Sequence, residues 1–179
     1  MPFGPGKPWG ANWTGAAEKV LAGWQWGGIV TATAGHPFTA VLNFNQSRNR
    51  DNNLPDRPSL KPGASNNPRL GKPDLWFDPN VFVLPVLGTY GNVGRNTLIG
   101  PGLASLDFSL TKDTFVRSIS ENSKLQFKAE FFNLLNRANF GLPVNVVLNP
   151  DGSIRGRAGV VTNTVTTARQ MQFALKVIF

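Results

Sequence analysis

Asp107 and Glu130 are the residues of this sequence best placed for acid–base work. Residues 103–111, LASLDFSLT, alternate: Leu106, Phe108 and Leu110 are apolar, while Ser105, Asp107, Ser109 and Thr111 are polar. Residues 123–135, SKLQFKAEFFNLL, begin the same way. Leu125, Phe127, Ala129 and Phe131 fall on one face, and Lys124, Gln126, Lys128 and Glu130 on the other. Side chains on a strand alternate with a period of two, so both carboxylates face the same side of neighbouring strands. Paired carboxylates can act as general acid and base. The plainer reading is a polar wall in which Asp107 or Glu130 meets Lys128 or Arg137. Breaking a solvated pair of that kind costs about 1 kcal/mol or less.

Other catalytic chemistry has little to stand on. The one histidine is His36, in GHPF, and any Ser-His-Asp arrangement would have to use it. It reads as a loop residue without a chemical role. There is no cysteine, hence neither a disulfide framework nor a thiolate metal site. The glycines of GTYGNVGRN lack the spacing and strand-to-helix setting of a phosphate-binding loop. The expectation is a protein that is not an enzyme and takes no cofactor.

The elements that must position these residues are strands. Fourteen prolines and nineteen glycines argue for long loops and against a helical protein. The first expected strand covers 22–34, with Trp24, Trp26, Val30 and Ala32 on one face and Gln25, Ile29, Thr31 and Thr33 on the other. The second covers 103–112 and the third 123–135. KAEFFNLLNR within 128–137 also suits a helix, but strict alternation favours a strand. The fourth covers 166–179, where Met171, Phe173, Leu175, Val177 and Phe179 alternate with mostly polar or small residues. Residues 35–102 read as one long irregular loop and 136–165 as a second, with NPDG at 149–152 as a turn. Only a short polar connection is expected around 112–122. A strand with one apolar face must bury it, against a second sheet in a soluble sandwich or against lipid in a barrel. Short turns at one end and long loops at the other are the barrel layout, and Trp24 and Trp26 suit its interfacial girdle. Four strands fall short of the roughly eight of the smallest barrels. Either the chain is a fragment of a larger barrel, or it is a soluble, secreted β-sandwich that binds a glycan or a surface partner.

Charge narrows the partners. The formal net charge is +8, with no run of five basic residues and no groove-reading motif, so no nucleic-acid partner is expected. Arg48, Arg50, Arg57, Arg69 and Arg95 lie in the first loop with Asp51, Asp56, Asp74 and Asp78. Such a mildly basic loop could meet lipopolysaccharide phosphates or an anionic small ligand, or simply be solvated. No stretch approaches the roughly 18 apolar residues of a membrane helix. Residues 1–6, MPFGPG, carry no signal-peptide pattern, so an export address is expected upstream.

Several stretches together resemble one family: GWQWGGIVTATAGHPFT (23–39), DLWFDPNVFVLP (74–85), GTYGNVGRNTLIGPGLASLDFSLTKD (88–113) and LQFKAEFFNLLNRANFGLP (125–143), followed by the terminal strand. They are similar to the C-terminal end of TonB-dependent outer-membrane receptors, more narrowly the Oar-like type with a carboxypeptidase-regulatory-like N-terminal domain. The resemblance implies an all-β chain: a partial antiparallel transmembrane β-barrel of the last four strands with two long extracellular loops. Plug and N-terminal domains would be absent from this segment. Such receptors are barrels of roughly 22 strands around a plug. The implied location is the bacterial outer membrane, and the implied activity is uptake of a small ligand. Met171, Phe173, Leu175, Val177 and Phe179 would face outer-membrane lipid and carry the signal read by the barrel-assembly machinery. Asp107, Lys128 and Glu130 would line the lumen. Other implied partners are the remainder of the receptor and, through its absent N-terminal part, the TonB complex.

Overall fold

The computed structural model describes residues 8, 9, 12, 15–51, 53–116 and 123–179. A short helix, α1 (Gly15–Leu21), leads into β1 (Trp24–Thr33). Six strands of two to four residues follow: β2 (Pro37–Phe38), β3 (Ser59–Leu60), β4 (Arg69–Lys72), β5 (Leu75–Phe77), β6 (Phe82–Val83) and β7 (Leu98–Ile99). Three long strands complete the chain: β8 (Leu103–Phe115), β9 (Lys124–Phe132) and β10 (Gln170–Ile178). The chain divides into two compact units. One comprises Met1–Thr31, Ala104–Arg137 and Thr167–Phe179, the other Ala32–Leu103 and Ala138–Thr166.

The first unit holds a four-stranded sheet in the order β1-β8-β9-β10. Phe108 pairs with Phe131 and Thr111 with Lys128 across β8 and β9; Phe173 pairs with Ala129 across β10 and β9. Both pairings are antiparallel. The backbone N–H of Asp113 donates to the Gly23 carbonyl at 2.9 Å, and Gly27 lies against Ser109, so β1 also runs antiparallel to β8. β8 runs three residues past the expected 112, to Phe115. β10 begins at Gln170 rather than 166. The expected connection falls largely on 117–122, outside the described residues. α1 was not expected from sequence: seven residues are too few for a helical period to be read.

β9 stops at Phe132 rather than 135 because of Asn133, whose φ is 50°. Asparagine tolerates this left-handed backbone better than any other non-glycine residue. Its buried side chain then holds three ends together. Nδ2 donates to the carbonyls of Arg137 and Thr167, both at 3.0 Å, while Oδ1 accepts from the Arg137 N–H at 3.0 Å. The ladder resumes one residue out of step, the Leu134 N–H donating to Leu106 at 2.8 Å. Asn133→Ala is expected to cost about 2–3 kcal/mol, three hydrogen bonds at about 1 kcal/mol each. The drop would be read from the midpoint of denaturant unfolding, and an unchanged midpoint would refute this account of the corner.

The second unit corrects the reading of 35–102 as irregular. β2 pairs with β7, β3 with β6 and β4 with β5. A 3₁₀ turn at Pro79–Val81, N-capped by Asp78, links β5 to β6. Around them Phe38, Ala40, Leu42, Trp76, Phe77, Phe82, Val93 and Leu98 form a core, with Val147 and Leu148 from the second connection. Val41 bridges Val146 in parallel, and Asn145 Nδ2 donates to the Thr39 carbonyl at 2.9 Å. Buried Asp56 accepts from the Ser47 N–H at 2.6 Å and its hydroxyl at 2.9 Å. The 149–152 turn closes with the Gly152 N–H on the Asn149 carbonyl at 3.0 Å. Beside it, the Ser153 hydroxyl and N–H hold the Asp151 carboxyl below the usual carboxylate range. At the root of the unit, Gly35 passes so close to the Gly100 carbonyl that a Cβ there would lie 1.9 Å from its oxygen. That position requires glycine.

Candidate membrane face and polar wall

One face of the four-stranded sheet is largely apolar, with Lys112 and Thr114 of β8 as its polar exceptions. The registers set Phe108 opposite Phe131 and Leu110 opposite Ala129 across β8 and β9, while Lys112 and Thr114 face Phe127 and Leu125; across β9 and β10 they set Phe131, Ala129, Phe127 and Leu125 opposite Met171, Phe173, Leu175 and Val177. Trp24, Trp26, Val30 and Ala32 continue the face on β1. Four phenylalanines interlock across three strands. Phe173 stacks on Phe127 at 6.3 Å and meets Phe131 edge-on at 6.1 Å, and Phe131 leans on Phe108 at 6.2 Å. Yet the face is bare: Phe173 is 61% and Leu175 67% exposed, and Phe179 is 90% exposed. A contiguous apolar face of this size marks an interaction surface.

The opposite face carries charge. Lys128 Nζ lies 2.8 Å from Glu130 Oε1, the partner expected for Glu130. Asp107 does otherwise: it meets neither Lys128 nor Arg137. Its Oδ1 accepts from the Asn133 backbone N–H at 2.9 Å and from the Ser105 hydroxyl at 3.3 Å. A main-chain donor competes for a carboxylate as well as a side-chain cation does, and composition does not reveal it. A second cluster escaped the sequence reading. Asp113 accepts from Lys124 Nζ at 3.1 Å and Gln126 Nε2 at 2.8 Å. Extending the alternation from Thr111 by two residues would have found it.

The arginines of the first loop have divided uses. Arg57 Nη1 donates to the Val93 carbonyl at 2.6 Å, bracing the core of its unit. Arg69 lies over the Trp76 ring, 5.1 Å from its centroid. Arg48, Arg50 and Arg95 are exposed. Arg48 and Arg50 both adopt the left-handed backbone, with φ of 56° and 60°. A cavity of about 190 Å³ is lined by Asn43, Phe44, Asn45, Asp51, Asn53 and Asp56 among others, and by none of these arginines. His36 is exposed.

A family model described as an outer membrane beta barrel domain matches residues 1–172. The chain belongs to this outer membrane beta-barrel family. Neither the curated proteins nor the solved structures give a match. Membership places the protein in the bacterial outer membrane. It replaces the soluble sandwich, in which Met171, Phe173, Leu175 and Val177 would be covered by a second sheet. The barrel is not closed by these strands, since β1 and β10 are the two edges of the sheet. Strands of such barrels alternate between a lipid-facing and a lumen-facing side, and the charged face suits the second. The side chains of Lys128 and Glu130 are 43% and 26% exposed there, so their pairing is screened. Glu130→Gln should change stability by about 1 kcal/mol or less. Urea midpoints of the two proteins in the same detergent would differ little; a large loss would contradict a wet wall.

Proposed function

We propose that the sheet supplies the closing strands of a TonB-dependent receptor barrel of the Oar-like type, and that the Ala32–Leu103 and Ala138–Thr166 unit supplies ligand-facing loops for uptake. The observation that carries this is the sheet itself: a lipid-grade face, a charged face and two edges, β1 and β10, without neighbouring strands among the described residues. Unpaired edges with an apolar face are a liability unless further strands cover them. The ordered motifs that resemble Oar-like receptors support the narrower type. In this reading Asp107, Asp113, Lys124, Lys128 and Glu130 belong to the lumen wall. Arg48, Arg50 and Arg95 are the cations the loops offer to an anionic ligand or to lipopolysaccharide. The β10 strand, with Phe179 beyond it, is what the barrel-assembly machinery pairs with during insertion, a form of β-augmentation.

Two measurements test it. Antibodies against 35–102 should detect a heat-modifiable outer-membrane band much larger than the 19.4 kDa of this chain. A band near 19.4 kDa would defeat the larger-barrel reading. Immobilised periplasmic domain of TonB should retain the same band from a detergent extract. Its free passage would remove TonB from the proposal and leave the barrel.

A further inference from the structure

We propose that α1 and the corner joining it to β1 form an interfacial anchor, lying in the headgroup region of the phospholipid bilayer at the end of the sheet where β8 passes to β9. The argument begins with a charge in an apolar row. Lys112 follows Leu110 on the lipid-facing side of β8 and pairs with Phe127 of β9. A lysine at the bilayer midplane of a barrel costs about 2–4 kcal/mol, falling to about 0–1 near the interface.

The ammonium of Lys112 does not point into hydrocarbon. It donates to the Ala22 carbonyl and, at 3.3 Å, to the Asp113 carbonyl, and lies 5.8 Å from the centre of the Trp24 ring. The indole N–H of Trp24 in turn donates to the Val20 carbonyl at 2.9 Å. An aliphatic stem in the apolar row with its head turned to carbonyls and an aromatic face is a snorkelling lysine, which marks the edge of the hydrocarbon.

The corner is built to hold this position. Gly23 has a φ of 77°, and a Cβ on it would lie 2.2 Å from the Asp113 carbonyl oxygen. So α1 turns tightly into β1 against the backbone of β8. Beyond it the apolar surface continues: Val20 is 63% and Leu21 49% exposed, and Trp26 is 64% exposed on β1. Lys19 is exposed beside them. Successive helix residues differ by about 100°, so α1 can immerse Val20 while Lys19 stays at the phosphates. The continuity of Val20 and Leu21 with the lipid-facing stripe identifies the occupant as lipid rather than a soluble partner.

The chain has no cysteine, so a cysteine introduced into it is the single label site once any cysteine elsewhere in the full protein has been replaced by serine. Nitroxides would be attached at Lys19→Cys, Val20→Cys and Leu175→Cys in the full protein in phospholipid vesicles. Collision rates with oxygen, which concentrates in hydrocarbon, and with a water-soluble nickel complex would then be compared. At Val20→Cys oxygen should exceed the nickel complex severalfold, as at Leu175→Cys; at Lys19→Cys the order should reverse. A Val20→Cys label reached mainly by nickel would place α1 in water and overturn the proposal. A label reached by neither would place it against protein and overturn it equally.

Discussion

Phe77→Ala is expected to destabilise the Ala32–Leu103 and Ala138–Thr166 unit by about 3–5 kcal/mol, the usual cost of removing a fully buried aromatic ring. Phe77 is 1% exposed. Its ring meets Phe82 edge-on at 6.1 Å and Phe38 at 6.0 Å, so truncation leaves a cavity where three strands converge. Few domains have that much stability to spare. Protease added to outer-membrane vesicles should cut the variant rapidly within 53–101 while sparing the parent. Leu70→Ala, on β4 in the same unit but 51% exposed, should behave as the parent within about 0.5 kcal/mol. Equal resistance of the Phe77 and Leu70 variants would mean that this unit has no cooperative core.

Phe173→Arg should act on the sheet with comparable force. A guanidinium at the centre of the lipid face costs about 2–4 kcal/mol. The two ring contacts of Phe173, with Phe127 and Phe131, add about 0.5–1.5 kcal/mol each. Gln172→Arg is the matched control, one residue earlier and on the polar face of β10 opposite Glu130. It should be neutral or slightly favourable. The readout is the heat-modifiable band in outer membranes, weakened or lost for Phe173→Arg and retained for Gln172→Arg. If both variants assemble equally, the face assignment is wrong.

The strands were legible where alternation ran long enough to count. Leu106 to Thr111 and Lys124 to Phe131 declare their faces, and so does Met171 to Phe179. Their ends were harder. Phe131-Phe132-Asn133-Leu134-Leu135 reads as a continuing apolar run, but Asn133 turns the backbone with φ 50°. The second unit was illegible for a different reason. Its strands are two to four residues long, too short for any period, and its core residues Phe38, Phe77 and Val147 lie far apart in sequence. Only long-range pairing joins them. The apolar stripe could be read from sequence, as could the Lys128–Glu130 pair. The capping of Asn133 by Asp107 could not, because a backbone donor leaves no mark in sequence. The bracing use of Arg57 was hidden in the same way, its acceptor being a main-chain carbonyl.

The pairing of β2 with β7 has a consequence for how quickly the sheet can form. β1 and β8 are neighbours in the sheet but are separated by the whole of 34–102. Closing a flexible loop costs more the longer it is, by about 0.6 kcal/mol per doubling. Once Pro37–Phe38 has paired with Leu98–Ile99, and the Gly100 N–H has bonded the His36 carbonyl at 2.9 Å, only a few residues remain free on either side. The search for β8 then shrinks from about 70 residues to about five, nearly four halvings, or about 2 kcal/mol of closure entropy. A remote strand encounter becomes a local hairpin. Folding of the inserted unit thereby sets the pace at which β1 finds its neighbour, and a slow-folding insertion would leave that edge open to wrong partners for longer.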